Sequence, residues 1–210
     1  SGSHRPADQG AFAIFYRGSA FLTPSGYFGR EYGTAHHMQY TNQTIAANAL
    51  LIDGEGQPYR DVHAIGRIVD WGEKNGVSHV RADLTAAYPM LTRYFRTFRL
   101  AGRTITVTDA LEAEVPVSVT YNLHAVAKPE LAGECAAISR EVDGHRVTLT
   151  IRPLIGDLCD LTCTDRFAVD LNAGVPEEYR VTMPVQYHLS WRTAKKCAHT
   201  IVVRYEIGEA

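Results

Sequence analysis

Apolar residues in this chain recur at every second position, and that period decides what it can fold into. Val117, Val119, Tyr121 and Leu123 alternate with Ser118, Thr120, Asn122 and His124. Ile105 and Val107 alternate with Thr104, Thr106 and Thr108, and Val147, Leu149 and Ile151 alternate with Thr148 and Thr150. Ile201, Val203, Tyr205 and Ile207 repeat the pattern near the end. Each run offers one apolar and one polar face, as a half-buried antiparallel strand does. Further strands are expected over 12–16, 49–53, 65–71, 77–82, 93–100 and 184–191. Turn chemistry separates them at Asp53-Gly54-Glu55-Gly56, Lys74-Asn75-Gly76, Ala101-Gly102 and Asp143-Gly144. Helix is scarce: 42–47 and 85–91 offer a turn or two each, the latter containing Pro89. The pattern predicts an all-β fold, a multi-stranded antiparallel β-sandwich of two or more large stacked sheets. No linker-like stretch interrupts it, so 1–210 reads as a single domain.

Composition excludes several classes. With 210 residues, 45% hydrophobic and 21% charged, the chain is neither disordered nor fibrous. Its longest uninterrupted apolar stretch, 11–16, falls far short of the ~20 residues a spanning helix needs. The opening Ser1-Gly2-Ser3-His4-Arg5-Pro6 holds no apolar signal-peptide core, so the chain is expected to be cytosolic or cut from a longer precursor. A net charge of −2 exerts no general pull toward nucleic acid or an anionic membrane. Lysine occurs only at 74, 128, 195 and 196, leaving 17 arginines. Arginine's planar fork matches carboxylate and sulfate oxygens, although codon bias yields the same excess. Cys135, Cys159, Cys163 and Cys197 lack the paired spacing of a zinc knuckle. They leave open one or two disulfides or four buried thiols.

The first third of the chain carries the motifs. His4-Arg5-Pro6-Ala7-Asp8-Gln9-Gly10 precedes the first expected strand, followed by Pro24-Ser25-Gly26-Tyr27-Phe28 and the pair His36-His37. Then Gln43-Thr44-Ile45-Ala46-Ala47-Asn48 leads into Leu50-Leu51-Ile52-Asp53-Gly54-Glu55-Gly56-Gln57. Ala87-Tyr88-Pro89, Tyr94-Phe95-Arg96-Thr97-Phe98 and Val107-Thr108-Asp109-Ala110-Leu111 come later. Over residues 4 to about 151, this order resembles the C-terminal domain of the heparinase II/III-like polysaccharide lyases.

The resemblance implies a two-part lyase. An N-terminal (α/α) toroid, too long to be held in this chain, supplies a Tyr acid/base, and the β-sandwich closes over the cleft. The implied chemistry is β-elimination on a uronic-acid polysaccharide of heparin/heparan-like or alginate-like type. His4 falls on the family's cleft histidine and is the catalytic candidate, since an imidazole suits proton transfer or carboxylate neutralisation. Arg5, His36, His37, Gln43 and Asn48 are the substrate-binding candidates. The implied partners are an acidic polysaccharide and the missing toroid, and the implied location is periplasmic or secreted. Pro6, Pro24 and Ala47 stand at the three ligand positions of the zinc-containing members. None can coordinate a metal, so no cofactor is expected. A substitute site from His4, His36 and His37 meets the objection that adjacent strand residues face opposite ways.

Each candidate has a plainer reading. His36 and His37 would pack on Tyr32 and Tyr40, while Gln43 and Asn48 would satisfy buried backbone groups. Arg93, Arg96 and Arg99 resemble a basic stripe for a sulfated or uronic polymer. Residues three apart alternate faces, however, with Arg93 and Arg99 on one side and Arg96 on the other, so a solvated sheet face is the better reading. His124 and His188 read as structural. Tyr27 and Tyr40 suit either sugar stacking or the core. The alternatives to a lyase domain are a non-catalytic carbohydrate-binding module and a purely structural β-sandwich.

Overall fold

The computed structural model describes residues 6–26 and 32–209. In chain order the strands are β1 (Ile14–Tyr16), β2 (Ser19–Leu22), β3 (Leu50–Ile52), β4 (Arg67–Lys74), β5 (Val77–Asp83), β6 (Arg93–Ala101) and β7 (Thr104–Val117). They continue with β8 (Val119–Ala125), β9 (Glu130–Ala132), β10 (Cys135–Val142), β11 (His145–Ile155), β12 (Cys159–Thr164), β13 (Tyr187–Arg192) and β14 (Lys196–Glu209). An eight-stranded sheet runs β4-β5-β6-β7-β14-β11-β10-β9. A six-stranded sheet runs β1-β2-β8-β13-β12, with β3 also paired to β8. All the strand pairs are antiparallel. The sandwich expected from the alternation is therefore present. Its hairpins turn where Asn75-Gly76 and Asp143-Gly144 each take two consecutive positive φ values, the twist that tight hairpins need.

The alternating residues of both sheets meet in one apolar core. Val107, Val147, Leu149, Val203 and Tyr205 come from the larger sheet, and Val119, Tyr121, Leu123, Leu189 and Trp191 from the smaller. Across the middle, the hydroxyls of Tyr121 and Tyr205 lie 2.8 Å apart, so each buried phenol satisfies the other. The larger sheet overhangs the smaller. Register places Trp71, Val80, Phe98 and Val107 in one cross-strand row. Exposure along that row rises from 0% at Val107 to 77% at Trp71.

Strands β2, β9, β10 and β12 were not anticipated from the sequence. The expected turns of helix shrink to the 3₁₀ turns Thr44–Ala46 and Thr85–Ala87. Just before the first lies a π-turn, His37–Thr41, where the Asn42 N–H donates back to the His37 carbonyl. The cysteines form neither disulfides nor a buried set: all four are free, and Cys159 and Cys197 are exposed.

Burial separates the two tryptophans. Trp191, 1% exposed, donates its Nε1–H to the Glu134 carbonyl. Trp191→Ala is expected to cost about 3–5 kcal/mol of unfolding free energy, and Trp71→Ala to stay within about 0.5 kcal/mol of wild type. Urea unfolding followed by circular dichroism checks both, and similar losses for the two variants would contradict the overhang.

Candidate functional site

The residues of the amino-terminal motifs converge on a buried ion pair. Arg96 on β6 stands directly opposite Asp109 on β7, with both side chains facing the core. Arg96 Nε donates to Oδ1 of Asp109 at 2.7 Å and Nη2 to Oδ2 at 3.1 Å, a bidentate fork. Tyr94 OH donates to the same Oδ1 at 2.8 Å. The remaining donor of Arg96, Nη1, reaches out of the sheet to the carbonyls of Gly10 (2.8 Å) and Asn48 (3.2 Å). The Asp109 charge holds the guanidinium well above its ordinary range in spite of burial, and burial pushes the Tyr94 phenol well up. The solvated-face reading of Arg96 is thus overturned. Its position inverts the face because β6 alternates: Arg93 and Arg99 point outward and Arg96 inward.

A polar network extends from this pair. Gln57 accepts the Gln9 N–H at 2.8 Å and donates to the Gln9 carbonyl at 2.8 Å and to Tyr88 OH at 3.1 Å. Tyr88 OH donates to the Leu50 carbonyl. Thr44 Oγ1 donates to the Ala7 carbonyl at 2.7 Å and accepts the Gln57 N–H at 2.8 Å. Asn48 is 0% exposed; it donates to the Phe12 carbonyl at 2.7 Å and accepts the His124 N–H at 2.8 Å. Both ends of its amide are spent on backbone, so its assignment to substrate is corrected to a structural one.

Two adjoining depressions open beside this network and share Gln57 and Pro58. The smaller is lined by Pro6, Ala7, Gln9, Arg60, Asp61, Val62 and Ala64. The larger, about 450 Å³, is lined by Gln43, Thr44, Ile45, Leu51, Glu55, Gly56, Pro89 and Met90 among others. Gln43 is half-buried, with its Nε2 held by the Met38 carbonyl at 2.8 Å, so its amide oxygen remains for a ligand. Glu55 at the rim is exposed. Of the other candidates, His4 and Arg5 lie outside the described residues, as does Tyr27. His37 is half-buried, with its ring 4.8 Å from Tyr32 and its Nδ1 accepting the Gly33 N–H at 3.0 Å.

His36 is not brought to the depressions. It is 0% exposed, and its Nδ1 lies 2.7 Å from the Val169 carbonyl. Its ring packs 5.2 Å from Tyr40 and 4.9 Å from Phe167. Buried in this way the ring offers no surface to a polysaccharide, and the substrate-binding assignment gives way to a core one. Tyr40 is likewise buried, and burial pushes its phenol up to about 12.

Sequence reasoning passed over what His36 and Tyr40 belong to. Tyr40 OH donates to Ser25 Oγ at 2.9 Å, and Ser25 Oγ donates to Gln186 at 2.9 Å. Tyr40 OH also sits 3.3 Å from His188 Nδ1, which lies 2.8 Å from His124 Nδ1. At most one proton lies between those two nitrogens, so at least one of the rings is neutral there. Burial, then the neighbouring ring, takes His124 down to about 3. Burial takes His188 down to about 4, opposed by Asp165. His124 and His188 face each other across the β8–β13 pair, a register that sequence does not give.

The segments that hold Pro24 and Ala47, which the resemblance sets at metal-ligand positions, border this network. Ser25 N–H donates to the Ala46 carbonyl, and Thr23 N–H to the His124 carbonyl, which sets Pro24 beside Ala47. Pro6, Pro24 and Ala47 offer no side-chain donor, and among the described residues no three His, Cys, Asp or Glu converge to hold a metal. The residues present do not fit a zinc ion at this place.

The imidazole pair has a pH signature. Lowered folded pKa values mean that the unfolded chain binds protons first, so stability is complete well above pH 6.5 and falls from there to about 4 for His188 and about 3 for His124. His124 contributes a slope of up to about 1.4 kcal/mol per pH unit, and the half-buried His188 less. Denaturant unfolding at pH 7.5 and 5.0 is expected to show a smaller acid loss in His124→Asn than in wild type. Equal losses would show that the pair does not titrate as described.

The sequence profile of the family described as "Heparinase II/III-like, C-terminal" matches residues 1–178. Among solved structures, the heparinase III BT4657 gene product superposes with a TM-score of 0.73 at 12% identity, covering 98% of this chain and 31% of that one. Heparan sulfate lyase HepC from Pedobacter heparinus superposes at 0.69 with 14% identity, covering 99% of this chain and 31% of that one. A further heparinase III gives 0.69 at 12% identity, covering 98% and 30%. At these identities the superpositions establish the fold, and the chain spans about a third of the length of the proteins it matches. Among curated protein sequences none matches. The profile match and the shared sandwich place this chain in the heparinase II/III-like family, as its C-terminal β-sandwich domain.

Proposed function

We propose that this chain is the substrate-binding part of a polysaccharide lyase that cleaves a uronic-acid polysaccharide by β-elimination. The observation that carries the reading is the family match over residues 1–178, joined to an open depression beside the family's own motif residues. In the reaction a base removes the C5 proton, the C4–O bond breaks, and a C4=C5 double bond forms in the uronate. The leaving oxygen takes a proton, and neutralising the carboxylate stabilises the intermediate charge. Gln43 presents a hydrogen-bonding oxygen to the sugar, while His37 and Arg5 complete the binding set. His4 is assigned the proton transfer or the carboxylate. The toroid of the longer relatives supplies the remaining acid/base, so the isolated chain is inactive or feeble. The reading uses no zinc, since Pro6, Pro24 and Ala47 bring no donors, and it places the protein in the periplasm or outside the cell.

A second reading is a carbohydrate-binding module without chemistry. It is favoured by the burial of His36 and Asn48, which takes both from the substrate. An eliminase assay separates the two. The full-length gene product and this 210-residue chain, each with and without His4→Ala, are offered heparan, chondroitin and alginate. The lyase reading expects ultraviolet-absorbing product from the full-length protein, unchanged by EDTA and reduced at least tenfold by His4→Ala. Binding with no product from any polymer would establish the module instead.

A further inference from the structure

The eight-stranded sheet turns a second, differently built surface away from the smaller sheet. On β6 the outward residues are Arg93, Phe95, Thr97 and Arg99, the alternates of core-facing Tyr94 and Arg96. Register extends the Arg99 position across the sheet: His79 on β5 is opposite Arg99, Arg99 opposite Thr106 on β7, Thr106 opposite Arg204 on β14, and Arg204 opposite Arg152 on β11. One cross-strand row thus carries three guanidiniums and an imidazole over about 19 Å, at ~4.8 Å per strand.

Most of the guanidinium charge in this row is not spent within the protein, whereas His79 is paired with Asp70. Arg99 and Arg152 are exposed, and among the described residues neither has a hydrogen-bond or ion-pair partner. Arg204 reaches only Glu206, at 3.9 Å, and its Nε is buried with no partner. Arg204 and Arg152 stand directly opposite each other, an arrangement of like charges that destabilises a sheet unless an anion lies between them. Beside the row, Arg81 stacks 4.3 Å over Phe95 and also leaves its Nε buried and unpartnered. A shallow depression of about 340 Å³ lies between Asp70, His79, Arg81, Thr97 and Arg99. The acidic groups on this part of the face are Asp70, paired with His79 at 3.1 Å, Glu206, and Asp83, whose carboxyl hydrogen-bonds Thr85 and feels the charges of Arg67 and Arg81. Thr97, Thr106 and Thr108 are short side chains that keep the surface flat and offer hydroxyls.

We propose that the outer row of Arg99, Arg204 and Arg152, with Arg81 beside it, is a second binding surface for a linear polysaccharide bearing sulfate or carboxylate groups. Guanidinium forks spaced across strands suit anionic groups spaced along a chain laid over the sheet. The row shares no residue with the lining of the depression at Gln43, so it retains a long polymer without occupying the cleft. The proposal rests on the acidic-polysaccharide reading above.

The test measures dissociation constants of the 210-residue chain for heparin and for hyaluronan, at low and at physiological salt. The Arg99→Gln/Arg152→Gln/Arg204→Gln variant is expected to weaken binding at least tenfold and to flatten its salt dependence, with a thermal midpoint equal to or above that of wild type. The control Arg180→Gln/Arg192→Gln, which changes two exposed arginines outside the row, is expected to keep most of the affinity. Preference for heparin assigns the row to sulfate, and equal affinity assigns it to carboxylate. Wild-type affinity in the triple variant overturns the proposal, as does absence of binding by wild type or equally tight binding of single-stranded DNA. Should the triple variant not fold, Arg99→Glu alone carries the same comparison. Loss of binding in the cleft variant Gln43→Ala but not in the triple variant would leave the lyase reading intact and remove the outer surface.

Discussion

A bidentate ion pair sealed inside a β-sandwich sets the terms for the rest of this chain. Taking Arg96 and Asp109 out of water is costly, and their mutual attraction offsets that cost only if the remaining donors and acceptors are also satisfied. The structure meets the condition by bringing other segments to the pair. Tyr94 donates to Asp109, while Gly10 and Asn48 lend their carbonyls to Arg96. The guanidinium thereby fastens the amino-terminal segment and the approach to β3 to a strand far away in sequence. Gln9, Thr44, Gln57 and Tyr88 tighten the same junction. The depression at Gln43 is what remains open beside it.

That arrangement explains why the family resemblance was legible and why its functional meaning was only partly so. Asp8-Gln9-Gly10, Gln43-Thr44, Asn48, Gln57, Tyr88, Arg96 and Asp109 carry the resemblance, and most of them meet in one buried network. Polar residues in a core are constrained by partners, so a motif of this kind records a shared scaffold as readily as a shared reaction. The alternating strands announced the sandwich because period two maps directly onto a half-buried sheet. β2, β9 and β12 were hidden because they are short or mostly exposed, and β10 because its apolar run Ala136, Ile138, Val142 is broken by Arg140. Arg96 shows the remaining limit: sequence gave the alternation of faces on β6, but which face is the core depends on the other sheet. The His124–His188 contact depends on strand register and was out of reach for the same reason.

Two surfaces of the molecule divide the work proposed for it. Around Gln43 the chain presents hydrogen-bonding groups over a rigid polar junction, suited to orienting one sugar unit. On the outer sheet, unpaired arginines suit holding a polymer by charge. Beside Pro24 and Ala47 this chain has hydrogen bonds among Ser25, Tyr40, Gln186, His124 and His188. A corner cross-linked in this way is kept in place by neutral side chains, so its integrity follows pH.

The most direct test of this account is amide hydrogen exchange on the double variant Arg96→Met/Asp109→Leu, which removes both charges without leaving either one unpaired. If the pair fastens the junction, the amides of Ala7, Gln9, Gln57 and their neighbours lose at least tenfold protection, while those of β10 and β11 keep theirs. Unchanged protection at Ala7, Gln9 and Gln57 in a folded double variant would contradict it, because the junction would then stand without the pair.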